Sequence, residues 1–380
     1  MIKRSLIFGL ILLSIELLNA QGLSFNGYVS GIYSPILTLN PNKEDISHNG
    51  LLHNRLNFKY SISNWKFISD IRNRILFGDY SLYYKNNFIL LTKDNGLMNL
   101  SWNINSGNYY LLNSSIERLS INYETDKLSL RIGRQRINWS EALVFNPNDI
   151  FNTYSFFDFD YPERKGSDAI RFSYYPNETS TIEIAAKLDN TNRPTIAGLA
   201  RTNTLGWDIQ AITGILNNED YFLGFGFSGD IKGINLRGEF NYYIPYNDLI
   251  YKDNSIITCL GADYIFKNSI SLSSEILYNQ QRQGVSNNFY QMLYLSLSPR
   301  QLSISDWTLV SQISYPFNPL LSASLSAMSF INLPAFYFGT SIEYSIKENL
   351  SLSSMLQVFI GERYNSNNII LGYIRLKYSF

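Results

Sequence analysis

The chain has 380 residues, of which 15% are aromatic and only 16% are charged, and its formal net charge is zero. A zero net charge excludes the bulk electrostatic attraction on which nucleic-acid binding depends. The single cysteine, Cys259, excludes an intrachain disulfide and a cysteine-rich metal site. A helical membrane protein is excluded as well, because no stretch after Ala20 combines the length and the apolarity of a membrane-spanning helix.

The first residues have the three parts of a secretory signal. Lys3 and Arg4 supply positive charge, a mostly apolar run follows to Leu18, and Ala20 offers the small residue of a cleavage site. This order is typical of a peptide that is removed after export. We therefore predict a cleaved signal peptide over residues 1–20.

Segments that alternate between polar and apolar residues follow, and two kinds of connection separate them. Short turns rich in Asn, Asp, Gly, Pro or Ser are predicted at 61–64, 124–127, 176–179, 204–206, 229–232, 267–269, 317–319 and 347–349. Longer connections are predicted at roughly 35–50, 79–113, 137–166, 188–195, 216–219, 244–254, 280–301, 330–334 and 362–367. Their alternation predicts about 18 strands. Sixteen is the alternative, because the pattern is poor at 196–204 and 220–230.

The last strand has the clearest pattern of all. One face carries Ile370, Ile374, Leu376, Tyr378 and Phe380, and the other carries Tyr373, Arg375, Lys377 and Ser379. Lipid touches one face of a strand in an outer-membrane barrel and luminal water touches the other, and aromatic residues collect at the two interfaces. The sequence therefore predicts an all-β fold, a transmembrane antiparallel β-barrel formed by residues 21–380. Its expected partners are membrane lipid, lipopolysaccharide and, through the strand ending at Phe380, the barrel-assembly machinery of a Gram-negative bacterium.

The opposite face of each strand defines the predicted lumen, which we expect to be polar, mixed in charge, and basic mainly in the first third of the chain. The inward arginines are Arg55, Arg72, Arg74, Arg118, Arg131, Arg171, Arg237 and Arg375, and the inward acids are Asp70, Glu183, Asp208, Glu239, Asp263, Glu275 and Glu343. A ladder that attracts anions can form from Arg55, Arg72, Arg74, Arg118 and Arg131, because rings of one charge select the opposite ion. The alternative is a solvated or internally ion-paired wall, since charges facing lipid are costly.

The connection 137–166 is rich in aromatic residues, which makes it a poor candidate for a freely solvated loop. We predict that it folds into the barrel and narrows the pore, and an external cap packed by its own aromatic rings is the alternative. The charges expected at this constriction are Arg134, Arg136, Glu141, Asp149, Asp158, Asp160, Glu163 and Arg164.

The same region resembles outer-membrane barrels related to the alginate-export porins. The resemblance rests on Gly133-Arg134-Gln135, Trp139, Asn146-Pro147-x-Asp149-x-Phe151-Asn152, Glu163-Arg164-x-Gly166-x-Asp168-Ala169 and Tyr174-Tyr175-Pro176. It implies an 18-stranded, monomeric barrel with a basic lumen that exports an anionic polysaccharide or passes small solutes. Ser140 stands where that family is expected to have a glycine.

Other chemistries have less support. Asp158, Asp160 and Glu163 are oxygen donors that suit Ca²⁺, but their spacing matches no complete ligand loop. Neither His48 nor His53 stands in a recognisable relation to a nucleophile or an acid. We therefore expect no enzyme activity, no cofactor and no metal.

The sequence predicts a passive outer-membrane channel for small polar or anionic solutes, with saccharides or an exported polysaccharide among the candidates. A non-conducting barrel that anchors external loops for adhesion or envelope assembly is the alternative function. The long, aromatic connection 79–113 is the feature that favours this alternative.

Overall fold

The computed structural model describes residues 22–40, 43–79, 92–106, 110–153, 163–247, 253–280, 298–361 and 368–380. The predicted signal peptide lies outside these residues. The strands are β1 (Leu23–Asn40), β2 (Lys43–Ile62), β3 (Trp65–Gly78), β4 (Ser101–Ser106), β5 (Tyr110–Glu124), β6 (Leu128–Gln135), β7 (Ser167–Asn177), β8 (Ser180–Leu188), β9 (Pro194–Thr204), β10 (Trp207–Leu216), β11 (Asp220–Ile231), β12 (Ile234–Pro245), β13 (Ser255–Ile265), β14 (Ser271–Asn279), β15 (Trp307–Asn318), β16 (Leu321–Phe330), β17 (Ala335–Lys347), β18 (Leu350–Gly361) and β19 (Asn368–Ser379).

The strands form one antiparallel sheet that closes on itself, because β19 pairs with β1. β3 pairs with β5, so the closed ring contains 18 strands, and the short β4 lies beside part of β5. The predicted antiparallel β-barrel of 18 strands is confirmed, and the alternative of 16 is wrong. Closure leaves the ring no long unpaired edge.

The outer face of the barrel is apolar and exposed, as the alternation predicts. On β19, Ile374, Leu376 and Tyr378 are about half exposed, whereas the intervening Arg375 and Lys377 face the lumen side. The Lys377 ammonium lies 4.2 Å from the centre of the Tyr28 ring. Apolar residues on one face of β19 and charged residues on the other are what a strand between lipid and water requires.

All eight predicted short turns are confirmed, because each overlaps the tight connection between two consecutive paired strands. We call this side of the barrel the short-turn end and the other side the long-connection end. The weakly patterned segments 196–204 and 220–230 also form strands, β9 and β11. Their alternation is poor because several of their inward residues are small or apolar, such as Ala197, Leu199 and Phe222.

The prediction of a long connection over 35–50 is wrong. β1 and β2 continue as a paired ribbon to Asn40 and Lys43, because extended backbone pairing proceeds beyond the point at which the sequence turns polar. Residues 80–91, 107–109, 154–162, 248–252, 281–297 and 362–367 of the predicted connections lie outside the described part of the chain.

One position of the wall is shared by two segments. β6 pairs with β5 only from Leu119 to Glu124, and β4 pairs with the remainder of β5, from Leu111 to Ser115. β6 thus ends early at Gln135, and the chain is free to enter the barrel there. Among the residues that the structure describes, no helix is long and apolar enough to cross a membrane.

Candidate functional site in the barrel lumen

Three of the predicted arginines lie in a row on β2 and β3. The Arg55 guanidinium is 2.6 Å from the Asp70 carboxylate, and Arg74 donates to the Asn113 side-chain oxygen at 2.6 and 3.1 Å. The exposed fractions of Arg55, Arg72 and Arg74 are only 4%, 2% and 6%. These arginines therefore influence a luminal solute through their electric field more than through direct contact.

A β-bulge on β5 places two consecutive charged residues inside the barrel. The register between β3 and β5 shifts at Glu117, so both Glu117 and Arg118 point inward. The Glu117 carboxylate accepts a hydrogen bond from Ser115 at 3.0 Å and lies within electrostatic range of Arg72 and Arg74. Strict alternation cannot predict Glu117, because a bulge interrupts the period of two.

Arg131 and Arg171 lie directly opposite each other on β6 and β7. Like charges in this position repel, and the nearest carboxylates are only loosely placed. Glu124 is 3.7 Å from Arg131, and Glu183 is 3.9 Å from Arg171. The Nε atoms of both arginines are buried and have no hydrogen-bond partner. Two positive charges therefore lie side by side near the short-turn end, each with one glutamate at the outer limit of ion-pair distance.

Beyond β6 the chain enters the barrel, and residues 136–153 form what we call the lumen segment. Its backbone is held by the Glu239 carboxylate on β12, which is almost fully buried. Glu239 accepts hydrogen bonds from the Ser140 hydroxyl at 2.6 Å, from the Ala142 amide at 2.7 Å and from the Asn148 amide at 2.8 Å. The Glu141 amide donates to it as well.

A second wall carboxylate, Glu275 on β14, holds the next three residues. It accepts hydrogen bonds from the amides of Leu143, Val144 and Phe145 at 2.6, 2.9 and 3.0 Å. Glu275 is 3% exposed. Hydrogen bonds to a charged acceptor in a water-poor environment are stronger than neutral ones. The wall therefore fixes the tip of the lumen segment through the backbone, whatever its side chains are.

Side chains of the lumen segment add further contacts with the wall. The Glu141 carboxylate is 2.9 Å from the Arg201 guanidinium and accepts a hydrogen bond from Ser228 at 3.1 Å. The Trp139 indole donates to Glu183 at 3.0 Å. The segment thus contacts β8, β9 and β11 as well as β12 and β14.

A large apolar cluster joins the lumen segment to the inner wall, which corrects the prediction of a polar lumen. Trp139 and Phe151 pack edge to face at 5.1 Å. The cluster also contains Ile137, Phe145 and Ile150 of the segment and, from the wall, Leu199, Ile212, Phe222, Tyr243, Ile257, Leu277, Val310, Met328, Phe330, Tyr337 and Phe359. The lumen is polar along β2–β7 and largely apolar along β9–β19, because the latter wall faces protein.

Two glycines on β11 make room for the lumen segment. A Cβ atom at Gly226 would lie 2.9 Å from the Asn148 side chain, and one at Gly224 would lie 3.3 Å from it. Asn148 occupies that space and accepts a hydrogen bond from the Asn241 amide at 2.8 Å. The Gly-x-Gly pattern of β11 therefore matches a close approach of another segment.

Residues 163–166, which we call the return leg, meet the opposite side of the barrel. The Arg118 guanidinium donates to the carbonyl oxygens of Glu163 and Arg164 at 3.0 and 2.5 Å, and the Tyr28 hydroxyl donates to the Glu163 carboxylate at 3.0 Å. β5, which carries Arg118, is nine strand positions from β14, which carries Glu275, in either direction around the ring. The two legs are therefore fixed to opposite walls.

Arg134 lies in the wall and binds there. Its guanidinium is 2.6 Å from Asp94 and 2.7 Å from Asp168, and it donates to the carbonyl oxygen of Met98 at 2.8 Å. A Cβ atom at Gly96 would lie 2.3 Å from this guanidinium. Arg134 thus binds residues 94–98, which precede β4, close to the point where β6 ends at Gln135.

Asp149 is fully buried within the lumen segment. Its Oδ1 accepts a hydrogen bond from the Asn152 amide at 3.0 Å, and its Oδ2 has no partner. Burial raises the pKa of Asp149 to about 6, although the positive charges of Arg136, Lys187 and Arg164 partly oppose this shift. The remaining predicted constriction charges, Asp158 and Asp160, lie outside the described residues.

A second inward segment, residues 298–306, packs at the long-connection end. Arg300 forms a buried ion pair with Asp220 on β11, and its guanidinium carbon lies 5.8 Å from the centre of the Tyr243 ring. The Leu302 amide donates to the Asn279 side chain at 2.6 Å. This segment was not predicted to enter the barrel, because its sequence has no distinctive aromatic run.

A cavity of about 550 Å³ opens at the short-turn end. Its polar lining includes Ser24, Asn26, Tyr28, Arg55, Asn57, Lys59, Asp70, Glu163 and Ser379. The cavity lies directly beside the return leg, which contributes Glu163.

The two histidines lie in unrelated surroundings. His48 is exposed on β2 towards the long-connection end and shares a hydrogen bond of 2.7 Å with the Tyr33 hydroxyl. His53 is buried, and its Nδ1 is 3.3 Å from the Arg72 guanidinium. Within the described ranges, no three metal-ligating side chains of His, Cys, Asp or Glu come together.

Sequence reasoning included Glu239 and Glu275 among the luminal acids but did not identify their role. Glu239 lies between Arg237 and Asn241 on the inward face of β12. Glu275 lies between Ser273 and Leu277 on the inward face of β14, so neither strand pattern marks its carboxylate as a binding group. A buried carboxylate needs donors, and in this barrel another segment of the chain supplies them.

The chain matches no family model and no curated protein. Solved structures match it along most of its length. OccAB4 of Acinetobacter baumannii has a TM-score of 0.59 at 11% identity, covering 95% of this chain and 99% of that one. OccK11 (OpdR) of Pseudomonas aeruginosa has a TM-score of 0.60 at 8% identity, covering 94% and 96%. OpdQ of the same organism has a TM-score of 0.57 at 9% identity, covering 94% and 97%. The chain therefore shares the fold of these barrels.

Proposed function

We propose that this protein is an outer-membrane channel of a Gram-negative bacterium that passes small polar or anionic solutes passively. The barrel closes with 18 strands, and the solved barrels that it resembles are outer-membrane porins. In such barrels the short turns face the periplasm, and the long connections face outward. The short-turn end, with the chain terminus Phe380, is then periplasmic.

The Arg131–Arg171 pair is the observation that carries the anionic preference. Two guanidinium groups face each other across neighbouring strands, and the side chains of Arg131 and Arg171 remain 24% and 18% exposed. A carboxylate or phosphate can accept from such a pair, since guanidinium groups bind these anions bidentately. The polar cavity beside the return leg lies at the same end of the barrel.

The resemblance to alginate-export barrels gains no support from the solved structures, so an exported polysaccharide is the less favoured solute. The predicted constriction is supported by hydrogen bonds at both of its ends. The lumen segment and the return leg are attached to opposite walls through Glu275 and Arg118. We propose that residues 137–166 narrow the conducting path where they cross it, and that the channel works as a monomer without cofactor or catalytic activity.

A non-conducting barrel is the second candidate, and the apolar cluster favours it. The lumen segment and residues 298–306 pack tightly against β9–β19, and three luminal arginines are almost fully buried. Such packing is typical of a protein core rather than of a water-filled path. In this case the barrel anchors its external connections for adhesion or assembly.

Single-channel recording of residues 21–380 in planar bilayers tests the proposal. We expect discrete conductance steps with a reversal potential that indicates anion preference. The double variant Arg131→Gln and Arg171→Gln should conduct but lose the preference, by about two- to ten-fold in the permeability ratio, because local charge concentrates counter-ions in a cleft. Arg375→Gln, on β19, serves as a matched control. A folded barrel without steps favours the second candidate.

A further inference from the structure

We propose that Glu239 and Glu275 are the positioning residues that hold the lumen segment across the barrel. The inference deepens the proposed channel function by naming what fixes its constriction. It rests on backbone geometry rather than on the charged side chains that the sequence places at the narrowing.

The donors form a continuous series. The amides of the five consecutive residues from Glu141 to Phe145 all donate to one of the two carboxylates. The Ser140 hydroxyl and the Asn148 amide complete the set. Successive backbone N–H groups that turn towards one side form a concavity for an anion. Here the two anions belong to the wall of the barrel itself.

The wall is shaped to present these carboxylates. Glu239 on β12 and Glu275 on β14 are separated by β13, and Gly261 of β13 pairs with Glu275. A Cβ atom at Gly261 would lie 2.8 Å from the Glu275 Cγ atom and 3.3 Å from its Oε1. The absence of a side chain at Gly261 therefore leaves the space that the Glu275 side chain occupies.

Substitution by glutamine separates this role from that of the other luminal acids. Both oxygens of Glu275 accept amide donors, so the NH₂ group of a glutamine must face at least one donor that it cannot satisfy. Glu183 on β8 provides the matched control, since it accepts from the single Trp139 indole donor. The oxygen of a glutamine at position 183 can still accept that bond.

The readout is the Trp139 side chain, which is 2% exposed and belongs to the lumen segment. In a background with the other four tryptophans replaced by phenylalanine, acrylamide quenching reports whether the segment has left the wall. The variants are Glu275→Gln, Glu239→Gln, their combination and Glu183→Gln. Each protein is reconstituted as the full mature barrel, and its folding is checked by the heat-dependent shift of its migration in detergent gels.

We expect Glu275→Gln and Glu239→Gln to increase quenching, with the ratio of released to docked segment rising about ten-fold for each unsatisfied buried donor. Glu183→Gln should match the parent. Gly261→Ala should also increase quenching, because it displaces Glu275 without changing its charge, and it keeps the test available if a glutamine variant does not fold. Parent-like quenching in the folded Glu275→Gln and Gly261→Ala variants would overturn the inference.

Conductance, measured in parallel, keeps the two proposals distinct. Larger or more frequently fluctuating steps in the glutamine variants support both the positioning role and the channel. Increased quenching in a barrel that never conducts supports the positioning role and contradicts the channel. Unchanged quenching in a barrel that conducts contradicts the positioning role alone.

Discussion

The two sides of the barrel lumen solve different physical problems. On β2, β3 and β5, which we call the arginine wall, inward charges meet acids and amides, as in the Arg55–Asp70 and Arg74–Asn113 contacts. On β9–β14, which we call the docking wall, inward positions are mostly small or apolar, and two carboxylates bind backbone amides. One wall controls charge, and the other holds a segment in place.

This difference shows why strand alternation alone does not define a pore. Alternation separates lipid from interior equally well on both walls. It does not distinguish an interior filled by water from one filled by protein, because both require only that the outer face be apolar. The distinction depends on where the chain between β6 and β7 folds back, which is a tertiary property.

Deleting most of the lumen segment should have the largest effect on the difference between the two walls. Deletion of residues 142–160 removes the contacts of Leu143, Val144 and Phe145 with Glu275 and leaves the docking wall facing water. We expect a large rise in single-channel conductance, of about two-fold or more, because the narrowest part of a pore dominates its resistance. A folded deletion variant with unchanged conductance would show that these residues do not limit the path.

Truncation of the docking wall should have the next largest effect. Leu277 is fully buried in the apolar cluster, and Leu277→Ala is expected to weaken the attachment of the lumen segment by about 2–5 kcal/mol, the cost of a buried cavity. Increased acrylamide quenching of Trp139 is the measurement. Ile276→Ala, one residue away on the lipid-facing side, is the matched control and should leave quenching unchanged. Equal quenching in both variants would contradict the assignment of the cluster.

The sequence predicts some features of the fold and misses others. The eight turns, the closed barrel and the inward direction of Arg55 and Arg72 follow from turn chemistry and a period of two. Glu117 does not, because a bulge shifts the register and only the pairing with β3 reveals it. The extension of β1 and β2 to Asn40 was missed because polar residues continue to pair once a ribbon has formed.

The candidate site was harder to predict than the fold. The connection 137–166 was recognised from its aromatic content, which is a local property. The partners of its backbone, Glu239 and Glu275, lie 97 and 131 residues further along the chain from Ala142 and Val144, and no local pattern links them to it. Arg134 was expected at the constriction but binds Asp94 and Asp168 in the wall. Long-range partners of this kind follow from topology and not from spacing.

On the arginine wall, a single acid should change selectivity modestly. Glu117 lies near Arg72 and Arg74, and Glu117→Gln removes its charge while an amide oxygen can still accept from Ser115. We expect the anion preference to rise about two-fold, since the field of the two arginines is less neutralised but remains screened by salt. Reversal potentials in a salt gradient measure the change. A shift towards cations would contradict the placement of Glu117 beside these arginines.

The last prediction concerns how the docking of the lumen segment depends on pH. The pKa of Asp149 is raised to about 6 in the docked segment, against 3.8 for a solvated carboxyl. The docked state thus favours the protonated acid, so the contribution of Asp149 is greatest below about pH 4 and is lost as the pH rises through 6. The shift corresponds to at most about 3 kcal/mol. Quenching of Trp139 should therefore increase between pH 4 and pH 7.

Asp149→Asn provides the control for this dependence. Its amide is always neutral, and its oxygen can still accept from the Asn152 amide as the Asp149 Oδ1 atom does. We expect the variant to show the low quenching of the acidic state at every pH. A pH dependence that persists in Asp149→Asn would assign the titration to another group of the docking wall. Charge as well as packing would then decide how firmly the docking wall holds the lumen segment.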